Sequence, residues 1–393
     1  MTHHRPAPSS DVDETPPDVF DAAAARRVLQ RIRDLCRDDV LPAAALCAGT
    51  ADELWGPFLF GRQTIAGTEP IRPDAIFLVA SITKPLVAMA LMKLIEAGQV
   101  TLSDRVERFV PEFGQNGKHA VQLRHLLTHT SGLPDQLPNN AELRRAGEPL
   151  ERFIEEVCRV ELEFPPGRGV RYQSMGFAML AEVIRRVTGI SCSDFVHREL
   201  LQPLRMHDSA LGAPDDWFHG PHPVVERIVE IRTPQNGTGH EWVWNTEYWR
   251  RFGAPWGGLL TTPADLARFA QMMLRNGETD GRRILSPATV RAATRNQLEF
   301  FRDIPEPDRR CRPWGLGWRL NWPAHSANFG DLLDPSAFGH WGSTGTVLWI
   351  DPTVGVFCVI LTSQPQDPDG RCLSLISNAV AAAINRMAVP SRG

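Results

Sequence analysis

The sequence is short of two reactive side chains, lysine and tyrosine. Of its 42 basic residues only three are lysines, Lys84, Lys93 and Lys118, so arginine supplies almost all of the positive charge. Tyrosine occurs twice, at Tyr172 and Tyr248, beside 18 phenylalanines and 11 tryptophans. Arginine does not deprotonate in proteins and phenylalanine has no hydroxyl. The few positions that keep an amine or a phenol are therefore candidates for proton transfer.

Other absences disfavour whole classes of protein. The formal net charge is −4 and no basic run occurs, which predicts no nucleic-acid partner. No apolar run approaches the length of a membrane span, so no membrane partner is expected. The N-terminus is polar and proline-rich, without the features of a secretory signal, and we expect a cytoplasmic protein. Oligomeric state is left open by the sequence.

Signatures of metals and of several cofactors are also missing. The seven cysteines are widely spread and never in CxxC spacing, which favours reduced, mostly buried thiols. His125 and His129 are four residues apart, but the glutamate of a zinc helix is lacking, so a structural role is expected for both. Neither GxSxG nor a glycine-rich phosphate loop occurs. We predict no metal and no cofactor.

The apolar pattern predicts an α/β (α+β) fold with one large core. Its antiparallel sheet is built from both ends of the chain and flanked by N- and C-terminal helices, and a mostly helical lobe is inserted between. Strands are predicted at both ends, in segments 42–47, 53–61, 315–320, 337–341, 346–350 and 356–361. The predicted divisions are a disordered tail over 1–17, an α/β subdomain over 18–98 and 256–393, and a helical subdomain over 99–255.

The first candidate motif is Ser81-Ile82-Thr83-Lys84, at the start of a helix predicted over 84–97. Residues three apart are neighbours on one face of a helix, so the Ser81 hydroxyl and the Lys84 amine should meet. A serine hydroxyl needs a base to become a good nucleophile, and a buried lysine can supply one. A helix cap followed by a surface lysine is the alternative interpretation of the motif alone.

Two further motifs follow along the chain. Tyr172-Gln173-Ser174 precedes a predicted helix, and its phenol could relay a proton. The segment 338–346, FGHWGSTGT, reads as a strand, a glycine-flanked turn and a second strand. Gly342 would allow close backbone approach, so the amide of Ser343 could join that of Ser81 in an oxyanion hole. Taken alone, the motif at 172–174 could instead be a tyrosine that caps a loop. The segment 338–346 could be a glycine-rich hairpin with a buried histidine.

Taken together and in this order, the three motifs resemble those of the serine β-lactamase and penicillin-binding-protein superfamily. The resemblance covers most of the chain from about residue 40. It is closest to the class C-like branch, and within it to family VIII carboxylesterases, beside D-amino-acid amidases and related acyl hydrolases. Segments similar to that family are HLLTHTSGLPDQ (125–136), FPPGRGVRYQSMGFAMLAEVIRRVTG (164–189), PLRMHDS (203–209), GGLLTTPADLARFAQMML (257–274), DGRRILSPATV (280–290) and GHWGSTGTVLWIDP (339–352).

The resemblance implies a role for each matching position. Ser81 would be the nucleophile, Lys84 its activating partner and Tyr172 the proton shuttle and the base for deacylation. The backbone N–H groups of Ser81 and Ser343 would hold the oxyanion. Substrate contacts are expected from two polar side chains, Gln136 and Ser174. Further contacts are expected from His340, Trp341 and Gly342 of the third motif, at the edge of the site.

The sequence departs from the β-lactamase pattern at two of these positions. His340 stands where a lysine that holds the antibiotic carboxylate is usual, and a mostly neutral imidazole would hold it less well. Ser174 stands where asparagine is usual. Both changes are similar to those of esterase members of the superfamily.

A tryptophan-rich stretch, residues 239–258, is the last candidate element. We expect some of Trp242, Trp244 and Trp249 to wall an apolar substrate pocket, although a loop anchored in the core is the alternative. The predicted function is a serine hydrolase acting on small neutral esters through an acyl-enzyme. Alternatives are a D-amino-acid amidase or peptidase, a weak β-lactamase, an acyltransferase, or a catalytically silent binding scaffold. The expected partner is a small ester or amide.

Overall fold

The structure, a computed structural model, describes residues 14–233, 243–322, 328–366 and 370–385. The strands are β1 Ala43–Thr50, β2 Leu54–Gly61, β3 Phe77–Leu78, β4 Ala210–Leu211, β5 Leu259–Thr261, β6 Glu278–Thr279, β7 Arg282–Arg283, β8 Arg319–Leu320, β9 Phe338–Gly342, β10 Thr346–Asp351 and β11 Val356–Thr362. The α-helices are α1 Ala22–Arg37, α2 Thr83–Glu96, α3 Leu123–Leu127, α4 Asn140–Arg145, α5 Leu150–Arg159, α6 Met175–Thr188, α7 Cys192–Val196, α8 Glu247–Phe252, α9 Pro263–Leu274, α10 Pro287–Thr294, α11 Glu306–Cys311 and α12 Arg371–Ala382.

The main sheet joins the two ends of the chain. Within the described ranges it has six strands in the order β2-β1-β11-β10-β9-β8, and every neighbouring pair is antiparallel. Strand β1 from the N-terminal part pairs with β11 from the C-terminal part, with Ala45 opposite Leu361. The predicted α/β fold with an antiparallel sheet is confirmed.

The two faces of the sheet bury different cores. Successive side chains of a strand point to opposite faces, so Cys47 faces the larger core and Ala48 the smaller one. Helices α1 and α12 cover the smaller core, and α9 packs against β1 and β11 on the other side. The N- and C-terminal helices therefore flank one face, as the sequence predicts.

Helix α2 is mostly apolar, is buried on all sides over residues 83–92, and lies inside the larger core. Helices α6 and α7 pack against it, and α3 and α5 pack against α6. Helix α6 ends at Gly189, which adopts a left-handed φ of 77° that glycine tolerates without strain. These helices form the mostly helical lobe, while β4 from the same part of the chain pairs with β5. The exact subdomain boundaries stay a prediction.

Some predicted element bounds differ from the structure. The strand predicted over 315–320 is formed only at Arg319 and Leu320, because the preceding residues turn against α2. Gly317 has a φ of 79°, and a Cβ there would lie 2.2 Å from the Cβ of Ala88. Most of the predicted disordered tail, residues 1–13, lies outside the described residues. Glu14, just beyond them, forms an ion pair with Arg33.

Candidate active site

Ser81 and Lys84 lie together at the start of α2. The Lys84 Nζ donates hydrogen bonds to the Ser81 Oγ over 3.1 Å and to the carbonyl oxygen of Trp256 over 2.9 Å. Lys84 is fully buried, and this desolvation lowers its pKa from 10.5 to about 7. A lysine with such a pKa is present partly as the free amine at neutral pH. It can therefore take the proton of the serine hydroxyl.

The turn that presents Ser81 is held by a neighbouring strand. Ser81 lies in a 3₁₀ turn, Ala80–Ile82, and Ala80 has a positive φ of 46°, a strained value for a residue with a Cβ. The Thr83 hydroxyl donates to the carbonyl of Ala80 (2.6 Å) and accepts from the amide of Leu259 in β5 (3.0 Å). These two hydrogen bonds of Thr83 thus tie the turn that carries Ser81 to β5.

Tyr172 completes the group around the nucleophile. The Ser81 side chain acts to lower the pKa of the tyrosine hydroxyl as a neighbouring hydrogen-bonding group, and the Lys84 Nζ lies 4.6 Å from the tyrosine ring centroid. Desolvation raises the pKa of Tyr172, and the effect of Ser81 only partly offsets that rise. The phenol is therefore protonated at neutral pH. This direction favours proton relay through the hydroxyl over a resting phenolate base.

His129 packs against Tyr172. The sequence predicted a structural role for this histidine but not this contact. Its Nδ1 accepts a hydrogen bond from the backbone amide of Gln173 (3.1 Å), and its ring lies 4.8 Å from that of Tyr172 and 4.1 Å from that of Trp314. Burial, followed by the charge of Lys84, holds the pKa of His129 well below its usual value. A neutral imidazole thus packs against the phenol.

The turn after β9 is attached to the segment that precedes Ser81. Gly342 lies so close to that segment that a Cβ would be 2.3 Å from the carbonyl oxygen of Val79. The Thr344 hydroxyl donates to the carbonyl of Leu78 (2.7 Å), and the Thr346 hydroxyl donates to that of Val79 (3.0 Å). The two threonines were not singled out from the sequence, although both lie in the third motif.

This attachment bears on the proposed oxyanion hole. Ser343 directly follows Gly342 and is exposed, while Ser81 directly follows the Val79–Ala80 segment that Gly342 contacts. The two backbone N–H groups are therefore supplied by neighbouring segments. Their roles as oxyanion donors stay a prediction.

His340 is a buried, neutral group in this structure. Its Nδ1–H donates to the carbonyl oxygen of Trp341 (2.7 Å), which assigns the proton to that nitrogen because a carbonyl only accepts. Desolvation, followed by the charges of Arg319 and Lys84, holds the pKa of His340 well below its usual value. The imidazole carries no fixed positive charge at neutral pH.

A fixed cation nevertheless lies beside the motif, at a residue that sequence reasoning missed. Arg319 in β8 is opposite Gly339 in β9, and its guanidinium carbon lies 3.7 Å from the ring centroid of Trp341 and 4.5 Å from that of Trp314. Desolvation lowers the pKa of Arg319 to about 10, so it stays charged. The available signal was an arginine inside the apolar run 314–320.

A carboxylate near the site was also missed. The hydroxyl of Ser174 donates to the Oδ1 of Asp135 over 2.6 Å. The negative charge of Asp135 acts to raise the pKa of Lys84 and of Tyr172. The available signal was an acidic residue directly before the predicted substrate contact, Gln136.

Gln136 and two of the candidate tryptophans make contacts within the protein. The Gln136 Oε1 accepts a hydrogen bond from Arg144 (3.2 Å), whose guanidinium carbon lies 4.4 Å from the ring centroid of Trp249. Trp249 is 3% exposed and Trp244 is 7% exposed, both in the larger core, which leaves little of either ring for a substrate. The hydrophobic effect favours this burial. Trp242 lies outside the described residues.

Among the described residues, no three or more histidine, cysteine, aspartate or glutamate side chains are grouped so that they could hold a metal ion. None of the described helices combines the length and the apolar character needed to cross a membrane.

Comparison with known proteins gives the family. A family profile described as Beta-lactamase matches residues 26–382. The chain is 28% identical over 344 residues to "Penicillin-binding protein 4" of Amycolatopsis lactamdurans, covering 85% of this chain and 84% of that protein. It is 27% identical over 322 residues to a "Putative D-alanyl-D-alanine carboxypeptidase" of Salmonella heidelberg (strain SL476), covering 76% and 72%. The solved structure of a family VIII carboxylesterase is similar in fold, with a TM-score of 0.75, 20% identity and coverage of 94% and 98%.

The fold, the geometry around Ser81 and the family match agree. The chain belongs to the β-lactamase family, in its broad sense that includes penicillin-binding proteins, and is a serine hydrolase of that superfamily.

Proposed function

We propose that the protein is a carboxylesterase that hydrolyses small esters through an acyl-enzyme on Ser81. The observation that carries the proposal is the neutral state of His340. The position at which β-lactamases usually have a carboxylate-binding lysine has here a buried imidazole whose pKa is held well below its usual value. An ester needs no carboxylate contact beside its reacting carbonyl.

The proposed reaction uses the residues around the nucleophile in turn. The free amine of Lys84 takes the Ser81 proton as the hydroxyl attacks the acyl carbonyl. The amides of Ser81 and Ser343 stabilise the oxyanion. The Tyr172 hydroxyl, which Ser81 influences as a neighbouring hydrogen-bonding group, relays the proton from Lys84 to the departing alcohol. Water then attacks the acyl-enzyme through the same groups, and the Ser81 hydroxyl is regenerated.

The charge of Arg319 favours a second candidate function, a carboxypeptidase or amidase acting on D-amino-acid substrates. A peptide substrate of a carboxypeptidase ends in a carboxylate, and the positive charge of the buried Arg319 would attract such a group through space. The curated relative from Salmonella carries a carboxypeptidase name. Against a catalytically silent scaffold stands the complete set of Ser81, Lys84 and Tyr172, in which Lys84 contacts both other members.

One panel of substrates tests these alternatives. We expect p-nitrophenyl acetate or butyrate to have a higher kcat/KM than a D-alanyl-D-alanine peptide, a D-aminoacyl anilide or a chromogenic cephalosporin. Mass spectrometry should detect an organophosphonate adduct on Ser81. The Ser81→Ala variant should lose both hydrolysis and labelling while keeping its thermal unfolding transition. A higher kcat/KM for the peptide would support the second candidate instead, and an adduct-free, inactive protein would support the scaffold.

A further inference from the structure

Asp135 is a negatively charged group at the active site that the proposed reaction does not use. It is partly exposed, and its Oδ1 accepts the hydrogen bond from Ser174. No lysine or arginine in the described part of the chain forms an ion pair with it. A carboxylate offers about four lone-pair sites, and one serine donor occupies one of them. The carboxylate therefore has capacity to accept a further donor from a bound molecule.

Its position connects this carboxylate to the reacting groups. Ser174, its hydrogen-bond donor, is two residues from Tyr172 and occupies the N-cap position of α6, where its hydroxyl donates to Asp135 rather than capping the helix. Asp135 also directly precedes Gln136. Its charge acts on both Lys84 and Tyr172, so the carboxylate lies within electrostatic reach of the nucleophile.

The charged and titratable groups around the nucleophile differ in sign. Lys84, beside Ser81, has a pKa of about 7, and Arg319 in β8 stays charged. Tyr172 is neutral because its pKa is raised, and His129 and His340 are neutral because theirs are lowered. Asp135 thus supplies a negative charge that acts on both Lys84 and Tyr172, and Arg319 supplies a positive charge that acts on the same two groups.

We propose that Asp135 is a specificity-determining residue, which selects substrates with a cationic ammonium group near the reacting carbonyl and disfavours substrates with a carboxylate there. The inference rests on the proposed acyl-enzyme function of Ser81. Its physical basis is Coulombic: opposite charges attract and like charges repel, and a partly buried site screens the interaction less than bulk water does. The chemical class that it favours is an ester or amide of an amino acid or of a similar amine-bearing acid.

The test uses three p-nitrophenyl esters whose acyl chains have the same length and end in a methyl, a trimethylammonium or a carboxylate group. The readout is kcat/KM for each charged ester divided by that for the neutral one. Asp135→Asn, which keeps the shape and removes the charge, should lower the cationic ratio and raise the anionic ratio, each by roughly fivefold to tenfold. If esters are not cleaved, the same ratios are measured on anilides with the same acyl groups.

Three further variants separate charge from other effects. Asp135→Glu should retain the ratios of the unmodified protein. Ser174→Ala removes the hydrogen bond and keeps the charge, so it should retain the cationic preference. Asp216→Asn makes the same chemical change at an exposed turn and should alter neither ratio. Unchanged ratios in Asp135→Asn, or an equal change in Ser174→Ala, would overturn the proposal.

The outcome also distinguishes this inference from the proposed function. If the unmodified protein hydrolyses the neutral ester through Ser81 and Asp135→Asn leaves both ratios unchanged, the inference fails and the proposed function stands. If the esters are inert and the anilides give ratios that respond to Asp135, the ester function fails and the inference stands.

Discussion

The side chain of Lys84 donates a hydrogen bond to the carbonyl oxygen of Trp256, 172 positions further along the chain. This contact joins the helix of the nucleophile to the segment that leads into β5. It also aims the amine toward Ser81, because the same nitrogen lies 3.1 Å from the serine hydroxyl. Burial between these two partners lowers the pKa of the amine, so the same contacts that order Lys84 make it a base.

Replacing this base by a permanent cation should abolish most of the turnover. Lys84→Arg keeps the positive charge but cannot release a proton, and we expect kcat to fall at least about a hundredfold. The matched control is Lys93→Arg, the same change elsewhere on α2, which should retain near-normal kcat. Near-normal turnover in Lys84→Arg would show that position 84 acts only as a fixed charge.

The pKa of Lys84 also predicts the pH profile. The free amine is the active form, so kcat/KM for a neutral ester should fall as the pH drops through about 7. Arg319→Met removes a nearby positive charge that lowers this pKa, and the acid limb should move to higher pH. Arg319→Lys keeps the charge and should leave the limb closer to that of the unmodified protein. A limb that stays in place in Arg319→Met would contradict this assignment of the base.

The same lysine should reduce the stability of the fold. A buried amine with a pKa of about 7 instead of 10.5 costs on the order of 5 kcal/mol at neutral pH. Lys84→Met removes that cost but loses two hydrogen bonds and leaves a buried carbonyl unpaired, which together offset about 2–4 kcal/mol. We therefore expect a net gain of about 1–3 kcal/mol in unfolding free energy for the inactive variant, measured by denaturant titration.

The pH dependence of the difference in unfolding free energy between the unmodified protein and Lys84→Met provides the control. Between about 7 and 10.5 the unfolded chain binds more protons at this position than the folded protein does. The unmodified protein should gain stability relative to Lys84→Met as the pH rises through this window. A difference that stays constant with pH would mean that packing, not the amine, causes it.

Close packing at Gly342 predicts a geometric effect on catalysis. In Gly342→Ala the added Cβ would lie 2.3 Å from the Val79 carbonyl and 2.4 Å from the Thr346 hydroxyl, so β9 must move away from the segment before Ser81. We expect kcat to fall tenfold or more, because the oxyanion donors separate. A tenfold fall corresponds to an increase of about 1.4 kcal/mol in the activation free energy. The control is Gly257→Ala, where the nearest atom would lie at an ordinary 3.7 Å. Equal losses in both variants would contradict the assignment.

Local sequence patterns predicted much of the fold and part of the site. Alternating or continuous apolar runs located β1, β2, β9, β10 and β11, because strand burial is periodic over neighbouring residues. Thr262 and Ser286 cap α9 and α10 by accepting hydrogen bonds from amides three residues further on, contacts that depend only on residues within one turn. The Ser81–Lys84 contact is likewise local, and a three-residue spacing on a helix was sufficient to predict it.

Contacts between distant segments were decided only by the tertiary structure. Arg319 lies beside Trp341 because β8 pairs with β9, and Asp135 reaches Ser174 across 39 positions. Trp244 and Trp249, two of the tryptophans among which pocket walls were expected, are buried in the larger core, as the alternative of a core-anchored loop describes. The spacing of Ser81 and Lys84 alone could not give the pKa of the amine, because desolvation depends on every segment packed around it. The sequence by itself therefore determined which groups can react, while the packing of remote segments decided the charges that surround them.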